Sequence, residues 1–413
     1  MPNKKFFPSG HNARVFLWCK RSILLLSVLL LLAVPLQAAT QAPPVSDEVE
    51  KALDSLIAFC GSDASAQQLD PGQIDALASF VHKTAPKGFF AVQERDDIKG
   101  AAIVYELKRS LSDIIRYIYN RRIPEGAINP SSVNYSFWKE VDGNSQALPD
   151  MWKSLENAAA PQVIRGVVRE SISPDLNTGA YYQYDLRRAF VIQRRGNNRI
   201  VFSISKQTAP SEVGCKGFIV GDDQDWNYIY TQEVGLNKAG LGWVRSRIQN
   251  FFSVCCYVED VTRPGIVRIA AFQWLGAGWA GLNVVDTHHI RRGLQRYADQ
   301  FKGMMESGRM PQPADLERVF AALEGSDEIL LRQKALDVIR SLLQKAREDD
   351  SLGKKKLIRS LDADTYVSLL NRSQLVSSLM REYVKYCLGK QTPLSPTFWV
   401  ALQQVGTKRP PLS

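Results

Sequence analysis

What most limits how these 413 residues can fold is a series of strand signals that follow one another with no helix between them. Residues 163–172, 186–195, 199–206, 216–220, 226–233, 243–258 and 266–275 are rich in β-branched and aromatic side chains. Parallel neighbours would need crossover connections of about a dozen residues or more, so this succession predicts antiparallel pairing. The intervening segments Gly196-Asn197-Asn198 and Gly221-Asp222-Asp223-Gln224-Asp225 consist of residues that tolerate a positive φ, as tight hairpins require. The series ends in one long helix near 287–306. Asp286 or Thr287 can cap it, and Ile290, Leu294, Tyr297, Phe301 and Met304 form a single apolar stripe suited to lie on a sheet.

Upstream, residues 101–107 read as a strand that passes directly into an amphipathic helix at 110–120, and a second helix is expected at 150–160. Two helical flanks enclose this middle part. The first, at 46–90, is a hairpin whose helices start at Ser46 and at Asp70-Pro71. The second follows the linker Met310-Pro311-Gln312-Pro313 and covers 314–406, with helices at 314–323, 327–346 and 364–388. The tail from Thr407 reads as frayed and Lys354-Lys355-Lys356 as a solvated surface. The fold class expected is therefore α+β, with an antiparallel sheet, a long closing helix at 287–306 and helical segments on either side.

The amino terminus predicts export. Residues 1–22 carry basic side chains and no acid, and residues 23–36 are apolar over 14 positions before Gln37-Ala38-Ala39. That run is shorter than the roughly 20 residues a membrane-spanning helix needs, and Pro35 interrupts it, so 1–39 reads as a signal peptide. The destination expected is the periplasm in a Gram-negative source and secretion otherwise. Lys4, Lys5, Arg14, Lys20 and Arg21 carry five of the ten net positive charges, so the excess left on the body does not call for nucleic acid as a partner. Five cysteines remain after residue 40, too few for a disulfide framework. They read as small buried residues, with a bridge from Cys215 to Cys255 or Cys256 as the alternative.

No motif supports a cofactor, a metal or nucleophilic catalysis. Gly276-Ala277-Gly278-Trp279-Ala280-Gly281 matches a dinucleotide fingerprint literally, but the helix begins several residues too late and no strand follows it, so a bend is expected there. His288 and His289 point about 100° apart on a helix and cannot share a metal as an i, i+4 pair would. Asp222, Asp223 and Asp225 are explained by turn chemistry.

In this strand and helix order, the passage 189–203 and the passage 277–285 leading into the helix at 287–306 resemble the START domain and the wider helix-grip superfamily (SRPBCC) over residues 100–307. The resemblance implies a curved antiparallel sheet wrapped round the closing helix, with an internal cavity for a lipid, sterol, polyketide or other apolar molecule. The more apolar face of 244–258 is expected to look inward, which makes Ile248, Asn250, Phe252, Val254, Phe202, Ile204, Trp279, Leu294, Tyr297 and Phe301 the candidate ligand-binding residues. Arg194, Arg195, Arg291 and Arg292 are candidates for contact with an anionic head group at a membrane surface, since guanidinium groups suit phosphate. The function expected is an exported carrier or sensor of an apolar small molecule, with no cofactor; whether there is any catalysis is left open. The alternatives are a cyclase or hydrolase on the same fold, and an envelope protein-interaction module.

Overall fold

The computed structural model describes residues 42–61, 68–86, 88–143, 147–157, 160–238, 242–260 and 262–408; the leader expected at 1–39 lies outside them. From Pro44 onward the chain forms one compact unit. In chain order its elements begin with α1 (Asp47–Cys60), α2 (Pro71–Lys83), β1 (Gly88–Phe90), β2 (Gly100–Leu107), α3 (Leu111–Ile118), α4 (Glu125–Ile128), β3 (Val133–Val141) and α5 (Met151–Asn157). The strand-rich part holds β4 (Gln162–Ile172), β5 (Ala180–Tyr181), β6 (Gln183–Arg195), β7 (Asn198–Gln207), β8 (Cys215–Ile219), β9 (Tyr228–Val234), β10 (Leu236–Lys238), β11 (Gly242–Val244), β12 (Arg247–Asp260), β13 (Val267–Trp279) and β14 (Leu282–Asn283). The closing helix is α6 (Thr287–Met305), and α7 (Pro313–Glu324), α8 (Glu328–Glu348), α9 (Lys356–Ser360), α10 (Ala363–Ser368), α11 (Arg372–Leu388) and α12 (Pro396–Lys408) complete the described chain.

The class is α+β, with a nine-stranded sheet in the order β1-β2-β13-β12-β7-β6-β4-β3 and β14 beside β13. All of its pairings are antiparallel. From β2 the chain crosses through α3 and α4 to the opposite edge at β3, then returns strand by strand until β13 lies beside β2. On the way it leaves the sheet to build a small three-stranded one, β5-β8-β9. The two expected turns are present. Gly196 has φ +56°, and Asp222 caps a short 3-10 turn that ends in Trp226 at φ +59°.

Both faces of the large sheet are covered. On one, Phe202, Ile204, Phe252, Val254, Phe272 and Trp274 pack against Leu53, Leu56, Leu77 and Val81 of the amino-terminal helices. On the other, Ile103, Tyr105, Phe190, Tyr257 and Ile269 share a core with Ile290, Leu294, Phe301 and Met304 of α6, and that core runs on into α7, α8, α11 and α12. The helical segments at either end thus complete the layers of the sheet instead of standing on cores of their own.

Gly276 to Gly281 is a hairpin. Strand β13 runs through it, Ala280 and Gly281 turn at φ +51° and +77°, and β14 pairs back. A Cβ on Gly278 would stand 1.7 Å from the Leu282 carbonyl oxygen, which is why glycine occupies that position. The Cys215 bridge is absent. All five cysteines are free thiols, and Cys215 belongs to the small sheet while Cys255 and Cys256 lie in the large one. Lys356 opens α9, so the lysine run ends in a helix start; of the tail expected to fray from Thr407, Thr407 and Lys408 belong to α12, and residues 409–413 lie outside the described residues.

Candidate functional site

Strand alternation decides which residues face α6. A β-bulge between Ile248 and Asn250 inserts one residue into β12, and one inserted residue exchanges the two faces of everything beyond it. The expected inward set is therefore divided. Ile248 packs with Val168, Leu186 and Ala277 on the α6 side, Asn250 is exposed, and Phe252 and Val254 turn toward α1 and α2 together with Phe202 and Ile204. Leu294, Tyr297 and Phe301 do face the sheet from α6, and Trp279 packs beside Ala180, Leu236 and Val244. The ten candidates do not line one space.

The α6 side of the central strands is instead built from small and polar residues. Across neighbouring strands, Arg188, Ser205, Ser253 and Gln273 stand opposite one another, and the next row is Phe190, Ser203, Cys255 and Ala271. The second row belongs to the apolar cluster around Phe190, Tyr257 and Ile269, and the first row stands between it and the cluster around Val168, Tyr184, Leu186 and Ala277. Short side chains there leave Ser253, Cys255 and Gln273 only partly buried on the face that α6 shares, whereas Val254, Cys256, Phe272 and Trp274, on the reverse side of the same strands, are fully buried. Where Tyr297, Phe301 and Met304 of α6 meet Ile128 and Trp226, the crevice has no room for a water molecule.

This band is polar as well as small. The Arg188 guanidinium donates to Glu170 Oε1 at 2.5 Å and to Ser205 Oγ at 3.0 Å, and its other nitrogen stands 3.9 Å from Glu125, which accepts from Ser136. Burial pushes Glu170 up to about 7; Arg188 pulls against it, and the Glu125 carboxylate adds to the rise. Tyr119 and Tyr257 share a hydroxyl contact of 3.3 Å, and the Tyr105 hydroxyl is buried without a hydrogen-bond partner. Burial raises Cys255 to about 11, so its thiol is protonated and unreactive at neutral pH. Burial likewise raises Tyr105, Tyr257 and Tyr297 well above the usual phenol range. A molecule in this band would meet neutral hydroxyls and aromatic rings, with one charged cluster at its side.

The arginine candidates do not form one patch. Arg195 is paired with Asp75 of α2 at the far tip of the β6–β7 hairpin, Arg194 donates to the Gly196 carbonyl in the same turn, and Arg199 beside them is paired with Glu259. Arg291 and Arg292 lie at the start of α6, where Asp286 is bonded to Lys99 at the entry to β2, the opposite end of the strands. Arg292 donates to Asn177, and Arg291 lies over the Phe89 ring. His289 serves the helix start, where its Nδ1 accepts from the Asp286 backbone N–H at 3.0 Å and closes the capping box of α6.

Asp223 does more than shape a turn. It accepts from Arg296 and from Gln300 at 2.8 Å, and so fastens the β8–β9 turn to α6. Among the described residues, no three His, Cys, Asp or Glu side chains are grouped to hold a metal. Sequence reasoning missed Arg188, Glu170, Ser203, Ser205, Ser253 and Cys255. The signal available was the alternation of serine with isoleucine and phenylalanine along 200–205, which marks two unlike faces. No protein-family model matches this chain, and no curated protein matches it in sequence.

Proposed function

We propose that the protein is an exported carrier or sensor with a START-like helix-grip arrangement, and that it holds a small apolar or amphiphilic molecule between the sheet and α6. The observation that carries this reading is the pair of rows Arg188, Ser205, Ser253, Gln273 and Phe190, Ser203, Cys255, Ala271, which set small and polar side chains, with Ser253, Cys255 and Gln273 only partly buried, on the sheet face that α6 shares. Apolar clusters at both ends of the band suit a hydrocarbon body, and the serines, the tyrosines and Arg188 suit one polar group on it. The ligand is thus expected to be less uniformly apolar than the sequence resemblance alone implies.

Room and ligand are tested together. Native mass spectrometry of the purified mature protein is expected to show a bound small molecule that organic solvent removes. Ser253→Phe is expected to abolish that binding while leaving the thermal midpoint nearly unchanged, because the ring enters existing space. A protein without a bound molecule, whose Ser253→Phe variant loses the roughly 1–3 kcal/mol typical of an overpacked core, would sink the proposal.

A second reading, an enzyme on the same framework, is favoured by one observation. Glu170 has a proton affinity near neutrality and shares Arg188 with Glu125 beside the band. Its test is turnover of a bound molecule that Glu170→Gln abolishes without loss of binding.

A further inference from the structure

A second site lies on the far side of the small sheet, whose Trp226 and Tyr228 bond to Gln300 and Arg296 of α6, and does not rest on the reading above. The edge strand β9 and helices α8 to α11 enclose a cleft of about 430 Å³. Its walls carry three tyrosine rings from the small sheet, Tyr181, Tyr228 and Tyr230, and a fourth, Tyr366, from α10. Tyr181 and Tyr230 meet edge to face at 5.2 Å, and the Tyr230 backbone N–H donates to the Tyr366 hydroxyl at 3.3 Å, so the rings are fixed in place.

On α11 the cleft is lined by Arg381, Glu382 and Lys385. Lys385 is buried and donates to Glu382 Oε1 at 3.0 Å and to Asn227 Oδ1 at 2.9 Å. The pair is left incomplete: Glu382 is 4% exposed, yet its Oε2 has no hydrogen-bond partner. The Nη1 of Arg381 is likewise buried without one. One unsatisfied acceptor and one unsatisfied donor on adjacent residues call for a ligand that both gives and takes hydrogen bonds.

Charge narrows the class. The lining holds Lys345, Arg381 and Lys385 against Glu233, Asp362 and Glu382, an even balance that favours no ionic ligand. The rest of the polar lining is amides and hydroxyls, such as Asn227, Gln232 and Thr231, which donate and accept alike. Hydroxyls in several directions and a flat face that rests on aromatic rings describe a sugar, and the volume exceeds what a single amino acid would fill. We infer that this cleft is a binding site for a neutral saccharide of two or three units, with Glu382 and Arg381 hydrogen-bonding its hydroxyls and the partly exposed Tyr366 ring under its face.

The test is saturation-transfer NMR on the full mature chain with maltotriose, cellotriose and tri-N-acetylchitotriose. Transfer to at least one trisaccharide is expected, together with a loss of at least tenfold in its affinity in Glu382→Gln and in the surface-lying Gln232→Ala. The second variant covers the case in which the first fails to fold. Triglycine is the zwitterionic comparison. No transfer to any of the three sugars, transfer to triglycine alone, or sugar binding unchanged in folded variants overturns the assignment. A ligand under α6 would be unaffected by either variant, so the two proposals fail separately.

Discussion

Glu170 stands at the charged end of the polar band, where burial raises its proton affinity from 4.5 to about 7. The folded chain therefore keeps a proton that the unfolded chain releases, so the contribution of Glu170 is fully present below about 4.5 and is lost as the pH rises through 7. Relative to Glu170→Gln, the wild-type protein is expected to lose roughly 3 kcal/mol across that window. Thermal midpoints of both proteins measured from pH 4 to 8 check this, and parallel curves would refute it. Gly278 gives a prediction independent of pH. With the Leu282 carbonyl 1.7 Å from a built Cβ, Gly278→Ala is expected to cost about 1–3 kcal/mol in urea denaturation as the β13–β14 hairpin is forced open. Neither effect was legible from the residue alone. The glycines matched a cofactor motif, and Glu170 is one acid among many until the sheet register sets it beside Arg188.

At the scale of elements, caps and periodicity were the most legible signals. Ser46, Asp70 and Ser110 each cap the helix expected of them, and α6 starts within a residue of its predicted position. Strand β3 was not foreseen. It forms one edge of the sheet, and its partly exposed residues, with Lys139 and Glu140 among them, present no clean apolar face. The bulge in β12 was equally invisible, since it depends on how β13 pairs with it, and it reversed the inward face beyond Gln249. The anchoring of α6 yields a prediction of its own. Asp223 accepts from both Arg296 and Gln300, and Asp223→Ala is expected to cost about 1.5–3 kcal/mol and to speed amide exchange along residues 287–305. Unchanged exchange there would show that apolar packing alone holds the helix.

At the scale of the whole molecule, the amino-terminal hairpin is the second lid of the sheet. Phe202, Phe252, Val254, Phe272 and Trp274 are at most 3% exposed beneath it, and Trp274 Nε1 donates to the Gln93 carbonyl at 2.8 Å. Removing residues 44–86 is therefore expected to yield a chain that aggregates on size-exclusion chromatography and shows no cooperative melt. A soluble, cooperatively folding fragment would show that the sheet needs only α6. The alternation of apolar residues along the strands and the stripe on α6 determined that there would be an antiparallel sheet and a helix lying on it, because those signals are local and repeat along the chain. Tertiary structure decided which face that helix covers, which small residues meet beneath it, and that helices remote in sequence enclose the cleft around Glu382. These depend on strand register, on one inserted residue and on contacts across more than a hundred positions, which no local pattern encodes.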